Sequence, residues 1–155
     1  MTLFLSHFSS QPIGELRSVE QGWENDYRSG YEKPKGFWVS VDGEDDWPSW
    51  CSSEMPSWLE GKTRYRIHIA DWSRLLVLTS ALDLDCFTER YGREVEGSWS
   101  RQYIDWPEVA KAHAGIVIAP YCWSRRMVHN WYYGWDCASG CIWDASVIAR
   151  VEEIV

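Results

Sequence analysis

Three short stretches of this 155-residue chain carry side chains that could act on one ligand. In "SHFS", His7 and Ser9 stand two positions apart. On a strand they would share a face, because side chains alternate along it, and would offer a ring nitrogen and a hydroxyl. In "GFWVSVDGEDDWPSWC", Trp38 and Trp50 supply two flat indoles, with Gly36 and Ser40 beside the first. Two such rings can wall a slot that holds a planar ring by offset stacking. In "GWDCASGCIWDASVI", Asp136 precedes a β-branched tail. A carboxylate lifted to the start of a strand can also face a cleft. Taken singly, each has a plainer reading: an edge or core histidine, a buried strand, and a turn aspartate beside glycines.

Other chemistries find less support. Cys137 and Cys141 have three residues between them, with His113, Cys122 and His129 upstream. Structural zinc takes four tetrahedral ligands, commonly from close cysteine pairs. No second close pair is present, so no metal is expected. A cysteine hydrolase would need one of Cys51, Cys86, Cys122, Cys137 or Cys141 beside a histidine in space, and no local signature marks one.

The elements that must position these residues can be read from periodicity and capping. "LFLSHF" (3–8) reads as a first strand and "GFWVSV" (36–41) as a second. Between them, "SSQPIGELRSVEQ" reads as a helix, with Ser10 as cap and Pro12 in its first turn. Residues 22–35 read as a polar loop. Trp47 to Trp58, broken by Pro48 and Pro56, should hold a short helix. "RYRIHIA" (64–70) alternates as a half-buried strand does, and "LLVL" (75–78) is a short buried one. "ALDLDCFTERYG" reads as a helix ending at Gly92. "DWPEVAKAHAG" reads as another, with Asp105 as N-cap, Glu108 completing a capping box and Gly115 closing it. "IVIAPY", "CIWD" and "SVIARVEEIV" supply the remaining strands. Many short strands with few helices make an α+β pattern rather than the alternation of a doubly wound sheet.

The bulk properties fit one domain spanning residues 1–155. No apolar run approaches a membrane span. The N-terminus lacks a basic region and a cleavage site, so no signal peptide is expected, the cytoplasm is the expected compartment, and the cysteines are expected as free thiols. The net charge is −8, from 15 basic and 23 acidic residues, which argues against a nucleic-acid coating protein. The twelve tryptophans exceed what a core needs, and tryptophan also gathers in ligand slots and interfaces.

The order of the three stretches resembles the ADP-ribosyltransferase superfamily, in the branch related to diphtheria toxin and the poly(ADP-ribose) polymerases. "HFS" matches a histidine, a small residue and a Ser/Thr, with the bulkier Phe8 in the middle. "GFWVS" matches a glycine followed by a strand with a ring-stacking tyrosine, here Trp38. Trp50, twelve positions on, matches a second tyrosine on the following helix. Asp136 stands where relatives carry a catalytic glutamate. The resemblance implies a split mixed or antiparallel sheet and NAD as co-substrate. It implies cleavage of the nicotinamide–ribose bond and transfer of ADP-ribose to a macromolecule. Asp136 would stabilise the oxocarbenium-like transition state, His7 would bond a ribose hydroxyl, and Ser9 would support it. Backbone near Phe8 would grip the carboxamide, Trp38 and Trp50 would sandwich the nicotinamide, and Ser40 would line the floor. Arginine-modifying relatives carry Glu or Gln two positions before the catalytic carboxylate, and here that position is Gly134, so an arginine acceptor is not expected. The acidic surface leans towards a protein target over nucleic acid, as for a bacterial toxin or phage-encoded modifier. The alternative is a non-catalytic binding or inhibitor protein on the same fold, using tryptophan-rich surfaces to hold a protein partner.

Overall fold

The structure is a computed structural model, and it describes residues 2–22, 33–94 and 102–155. Alternation sets the strands. β1 (Leu5–Ser9) buries Leu5, and β2 (Phe37–Val41) buries Val39 and Val41. After β2 come α1 (Trp47–Glu54), a 3-10 turn (Pro56–Leu59) and β3 (Thr63–Ile69). β4 (Leu75–Leu78) leads into α2 (Ala81–Tyr91) and the short hairpin β5 (Gly92–Glu94) and β6 (Gln102–Ile104). α3 (Trp106–Ala112), β7 (Gly115–Ile118), α4 (Asn130–Tyr133), β8 (Ser139–Ile142) and β9 (Ile148–Ile154) complete the order.

Seven strands form one mixed sheet in the order β4-β7-β8-β2-β1-β3-β9. β4 and β7 pair in parallel, and every other neighbour pair is antiparallel. The chain is therefore α+β. The crossover from β4 to β7 runs through α2, the hairpin and α3, and these cover the sheet with Phe87, Tyr91, Trp106 and Val109. Trp106 and Trp131 meet edge to face at 6.3 Å, and Trp106 also meets Trp143. The indole N–H of Trp131 donates to Thr88 and that of Trp143 to the His113 carbonyl, so these rings are buried without losing their polar tips.

One joint in the sheet is short. β1 pairs with β3 along its whole length, Leu5 to Ser9. With β2 it pairs only through Leu5 and Ser6, opposite Val41 and Ser40. Beyond Ser6 the two strands part, and the backbone of Phe8 faces the opening with no strand partner among the described residues. Asp42, just past β2, pins the joint. Its carboxylate accepts from Ser6 at 2.6 Å and pairs with Arg64 at 2.6 Å and Arg66 at 3.1 Å on β3.

Three expectations are corrected. Residues 9–21 form no helix. Their hydrogen-bonding groups are spent on distant partners: the Val19 N–H donates to the Trp143 carbonyl, Ser18 Oγ accepts from the Ala145 N–H, and the Gln21 amide exchanges two bonds with the Lys35 backbone. Only Ile13 of this stretch packs on the core. Gly115 does not close α3, which ends at Ala112 with His113 as C-cap. It opens β7, where a Cβ would stand 2.7 Å from the Cys141 carbonyl oxygen, so close strand approach is what demands glycine. β8 begins at Ser139, two residues before the expected "CIWD". The expected loop 22–35 lies mostly outside the described residues.

Candidate functional site

The parting of β1 and β2 opens a cavity of about 400 Å³. Its walls include His7, Phe8, Trp38, Ser40, Trp50 and Asp136, residues drawn from all three sequence stretches. Ser6, Ser139 and Cys137 add to the floor, and Trp47, Trp58, Trp135 and Lys33 to the walls. The volume lies within the range of ~300–1,000 Å³ usual for small-molecule sites, and the mix of aromatic walls with few polar groups is also usual.

His7 bridges the gap between the parted strands. Its Nδ1 lies 2.7 Å from the Trp38 carbonyl oxygen, and its ring stacks on Phe37 at 4.3 Å. A carbonyl only accepts, so Nδ1 carries the hydrogen and Nε2 is left as an acceptor. Burial holds the His7 pKa below the ordinary 6.5, against the opposing pull of the Trp38 carbonyl and with help from the Lys62 charge. The ring is therefore neutral near pH 7.

Trp38 and Ser40 sit on one face of β2, opposite Cys141 and Ser139 of β8. The Trp38 ring meets Trp135 edge-on at 5.0 Å, and the Lys33 ammonium lies 5.3 Å from the Trp38 centroid. Trp50 rides on α1 and packs against Trp58 at 5.6 Å. Trp38 and Trp50 thus wall the same cavity while each leans on a different neighbour. Ser40 Oγ accepts from the Trp47 N–H at 2.9 Å, and Asp46 caps α1 by accepting from the Ser49 N–H at 2.9 Å. Ser40 therefore holds the start of the helix that carries Trp50.

Asp136 lies three residues before β8, between Trp135 and Cys137, both buried. The Ala138 carbonyl accepts from the Val41 N–H, and the Ala138 N–H donates to the Asp45 carbonyl, which ties this segment to the end of β2. Arg126 Nη2 lies 3.2 Å from Asp136 Oδ1, and Arg126 Nη1 donates to the Tyr121 hydroxyl at 3.2 Å. That hydroxyl donates to the Trp135 carbonyl at 2.5 Å. Arg126 and Tyr121 thus fix the carboxylate through its own neighbour and leave Oδ2 unbonded among the described residues. The indole N–H of buried Trp135 has no acceptor among the described residues.

Two predicted site residues fall outside the lining. Ser9 accepts from the Gln11 N–H at 3.1 Å and makes a turn. Gly36 serves the backbone: its φ is +154°, and a Cβ there would stand 2.4 Å from the Ile142 carbonyl oxygen. Other carboxylates near the C-terminus are engaged elsewhere, Asp144 with Arg74 and Glu152 with His68. Lys33, Trp135, Trp58 and Arg126 were not singled out from the sequence. Trp135 adjoins Asp136 and Trp58 closes the tryptophan-rich segment, so both had a local signal. Lys33 and Arg126 had none, since only tertiary folding brings them there. Among the described residues no three His, Cys, Asp or Glu side chains converge as metal ligands. Nor is any described helix long and apolar enough to cross a membrane.

Comparison with known proteins finds no matching family model, no matching curated protein and no matching solved structure.

Proposed function

We propose that the chain is an NAD-dependent ADP-ribosyltransferase that cleaves the nicotinamide–ribose bond and transfers ADP-ribose to a protein. The observation that carries this reading is the gathering of His7, Phe8, Trp38, Ser40, Trp50 and Asp136, far apart in sequence, around one cavity. The aromatic walls suit a flat ring. An indole face attracts cations, and the nicotinamide ring of NAD is one; the Lys33 ammonium, which lies 5.3 Å from the Trp38 centroid, must swing aside to admit it.

Each group then has a task. The unpaired edge of β1 at Phe8 supplies backbone groups for the carboxamide. Neutral His7 accepts a ribose hydroxyl through Nε2. Asp136, held by Arg126, faces the ribose carbon as its bond to nicotinamide lengthens and positive charge gathers there. A bond made mainly in the transition state raises rate more than affinity.

The test is release of nicotinamide from NAD by the purified protein. Wild type is expected to release it, and Asp136→Ala to lower the rate at least 100-fold with NAD affinity kept within a few fold. No NAD binding and no nicotinamide release by wild type would sink the reading. The second reading, a non-catalytic protein-binding module, is favoured by the Arg126 ion pair, which already satisfies one oxygen of Asp136. Tight partner binding without NAD binding would establish it.

A further inference from the structure

The sheet is open at β9, its last strand, which has β3 as its one neighbour among the described residues. The registers fix which way its backbone points. The Asp42 N–H donates to the Phe4 carbonyl, so Phe4, Ser6 and Phe8 turn their backbone groups towards β2. In an antiparallel ladder these groups alternate from side to side along each strand. Leu5, His7 and Ser9 therefore face β3, where they meet Ile67, Tyr65 and Thr63. That leaves Arg64, Arg66 and His68 to face β9, opposite Ile154, Glu152 and Arg150. On β9 the N–H and C=O groups of Val151 and Glu153 consequently point away from the sheet. No backbone partner meets them among the described residues. We propose that this edge is an interface between two copies of the chain, paired antiparallel across a two-fold axis at Val151. Nothing in the pairing depends on the transferase reading.

Charge selects both the occupant and the register. Outward groups must meet outward groups, so the axis falls on a residue and not between two. An axis at Arg150 would set two guanidinium groups face to face, and one at Glu152 or Glu153 would oppose two carboxylates. With the axis at Val151, Arg150 of each copy lies opposite Glu152 of the other. Unlike charges opposed across neighbouring strands stabilise, and like charges do the reverse. Arg150 and Glu152 share one face of β9 and already lie 3.2 Å apart, so two copies would close a square of alternating charge. His68 and Arg150 hold the Glu152 carboxyl below the ordinary carboxylate range, so it is charged near pH 7.

The net charge of −8 opposes self-association in general, but this edge escapes it. Arg64, Arg66 and Arg150 balance Asp42, Glu152 and Glu153 across β3, β9 and the carboxylate that pins β3. Arg150 and Glu152 are exposed, whereas Val151 packs against the core. The opposite edge of the sheet, β4, consists of Leu75, Leu76, Val77 and Leu78 and has no charge code of this kind. Ala149 has no partner on β3 and bulges β9 just before Arg150. The bulge stops the ladder and keeps it short, so association is weak and reversible.

Sedimentation velocity over a concentration series reads the association. Wild type should pass from monomer to dimer and stop there, because a two-fold pairing closes on itself. Arg150→Glu and Glu152→Arg should each weaken the dimer about tenfold or more, since each turns two attractions into two repulsions. Mixed in equal amounts, these two variants should form a heterodimer within a few fold of wild-type strength, because every opposed pair is then unlike. Arg150→Glu/Glu152→Arg in one chain should pair with itself for the same reason. This rescue separates lost pairing from lost folding. Hydrogen exchange adds a second readout. The Val151 and Glu153 amides should gain protection with concentration, while those of Arg150 and Glu152, bonded to β3, should not change. A chain still monomeric at about 1 mM overturns the proposal. So does a dimer indifferent to the charge variants, one that mixing fails to restore, or growth beyond the dimer.

Discussion

At the scale of single residues, the protonation of His7 sets the pH dependence of the proposed reaction. Its pKa in the folded protein lies below 6.5 because burial disfavours the imidazolium. The working form is neutral, so it is present above that pKa and is lost as pH falls through it. NAD turnover should be flat from pH 7 to 8 and fall on an acid limb with a midpoint below 6.5. The limb should disappear in His7→Gln, whose residual rate should be about tenfold lower, within the usual worth of one positioned hydrogen bond. An acid limb that survives His7→Gln would assign it to another group. Much of the site was legible residue by residue. Six of the eight expected residues line the cavity, because each combined a chemical side chain with a place on or beside a strand. Ser9 and Gly36 stand outside the cavity lining, and the sequence could not show this, since a turn hydroxyl and a close-packed glycine carry the same letters as a ligand contact. Arg126 could not be read, because its meaning comes from Tyr121 and Asp136, which fold around it.

At the scale of elements, the site depends on how β2 is seated. Gly36 lets the strand begin hard against Ile142 of β8, with a φ of +154° that L side chains rarely adopt. Gly36→Ala must move backbone on one strand or the other. It should destabilise the protein by about 2–3 kcal/mol, combining strain and overpacking, and should weaken NAD binding by shifting Trp38. Urea unfolding with Gly36→Ala and a ligand titration would check both; an unchanged midpoint would mean the strand can yield. The strands were legible because alternation is imposed by burial of one face. One cap was legible too: Asp105 accepts from the Glu108 N–H as the side-chain chemistry demands. The helix expected at residues 9–21 failed because propensity lost to tertiary bonds from Trp143, Ala145 and Lys35. The hairpin of β5 and β6 has three-residue strands, too short to announce a period.

At the scale of the whole molecule, the thiols divide by burial. Cys137 is pushed up to about 11 and Cys141 higher still, both by burial, while Cys86 is exposed on α2. At pH 8 Cys86 should alkylate in the folded protein, and Cys51, Cys137 and Cys141 should react only on unfolding. Mass spectrometry of partly alkylated protein would show this. NAD turnover should survive modification of Cys86, which stands outside the cavity lining.

The short ladder between β1 and β2 reaches beyond ligand contacts. In most sheets the central strands are the last to yield their amide protons. Here the centre is held by two residue pairs and by the Asp42 cluster, so the sheet is hinged in its middle. β4, β7, β8 and β2 lie on one side of the seam and β1, β3 and β9 on the other. Hydrogen exchange should find the amides of Ser6 and Phe8, which face the seam, less protected than those of β7 and β8, despite their central place. A ligand bridging the seam would slow them together, turning two leaves into one plate.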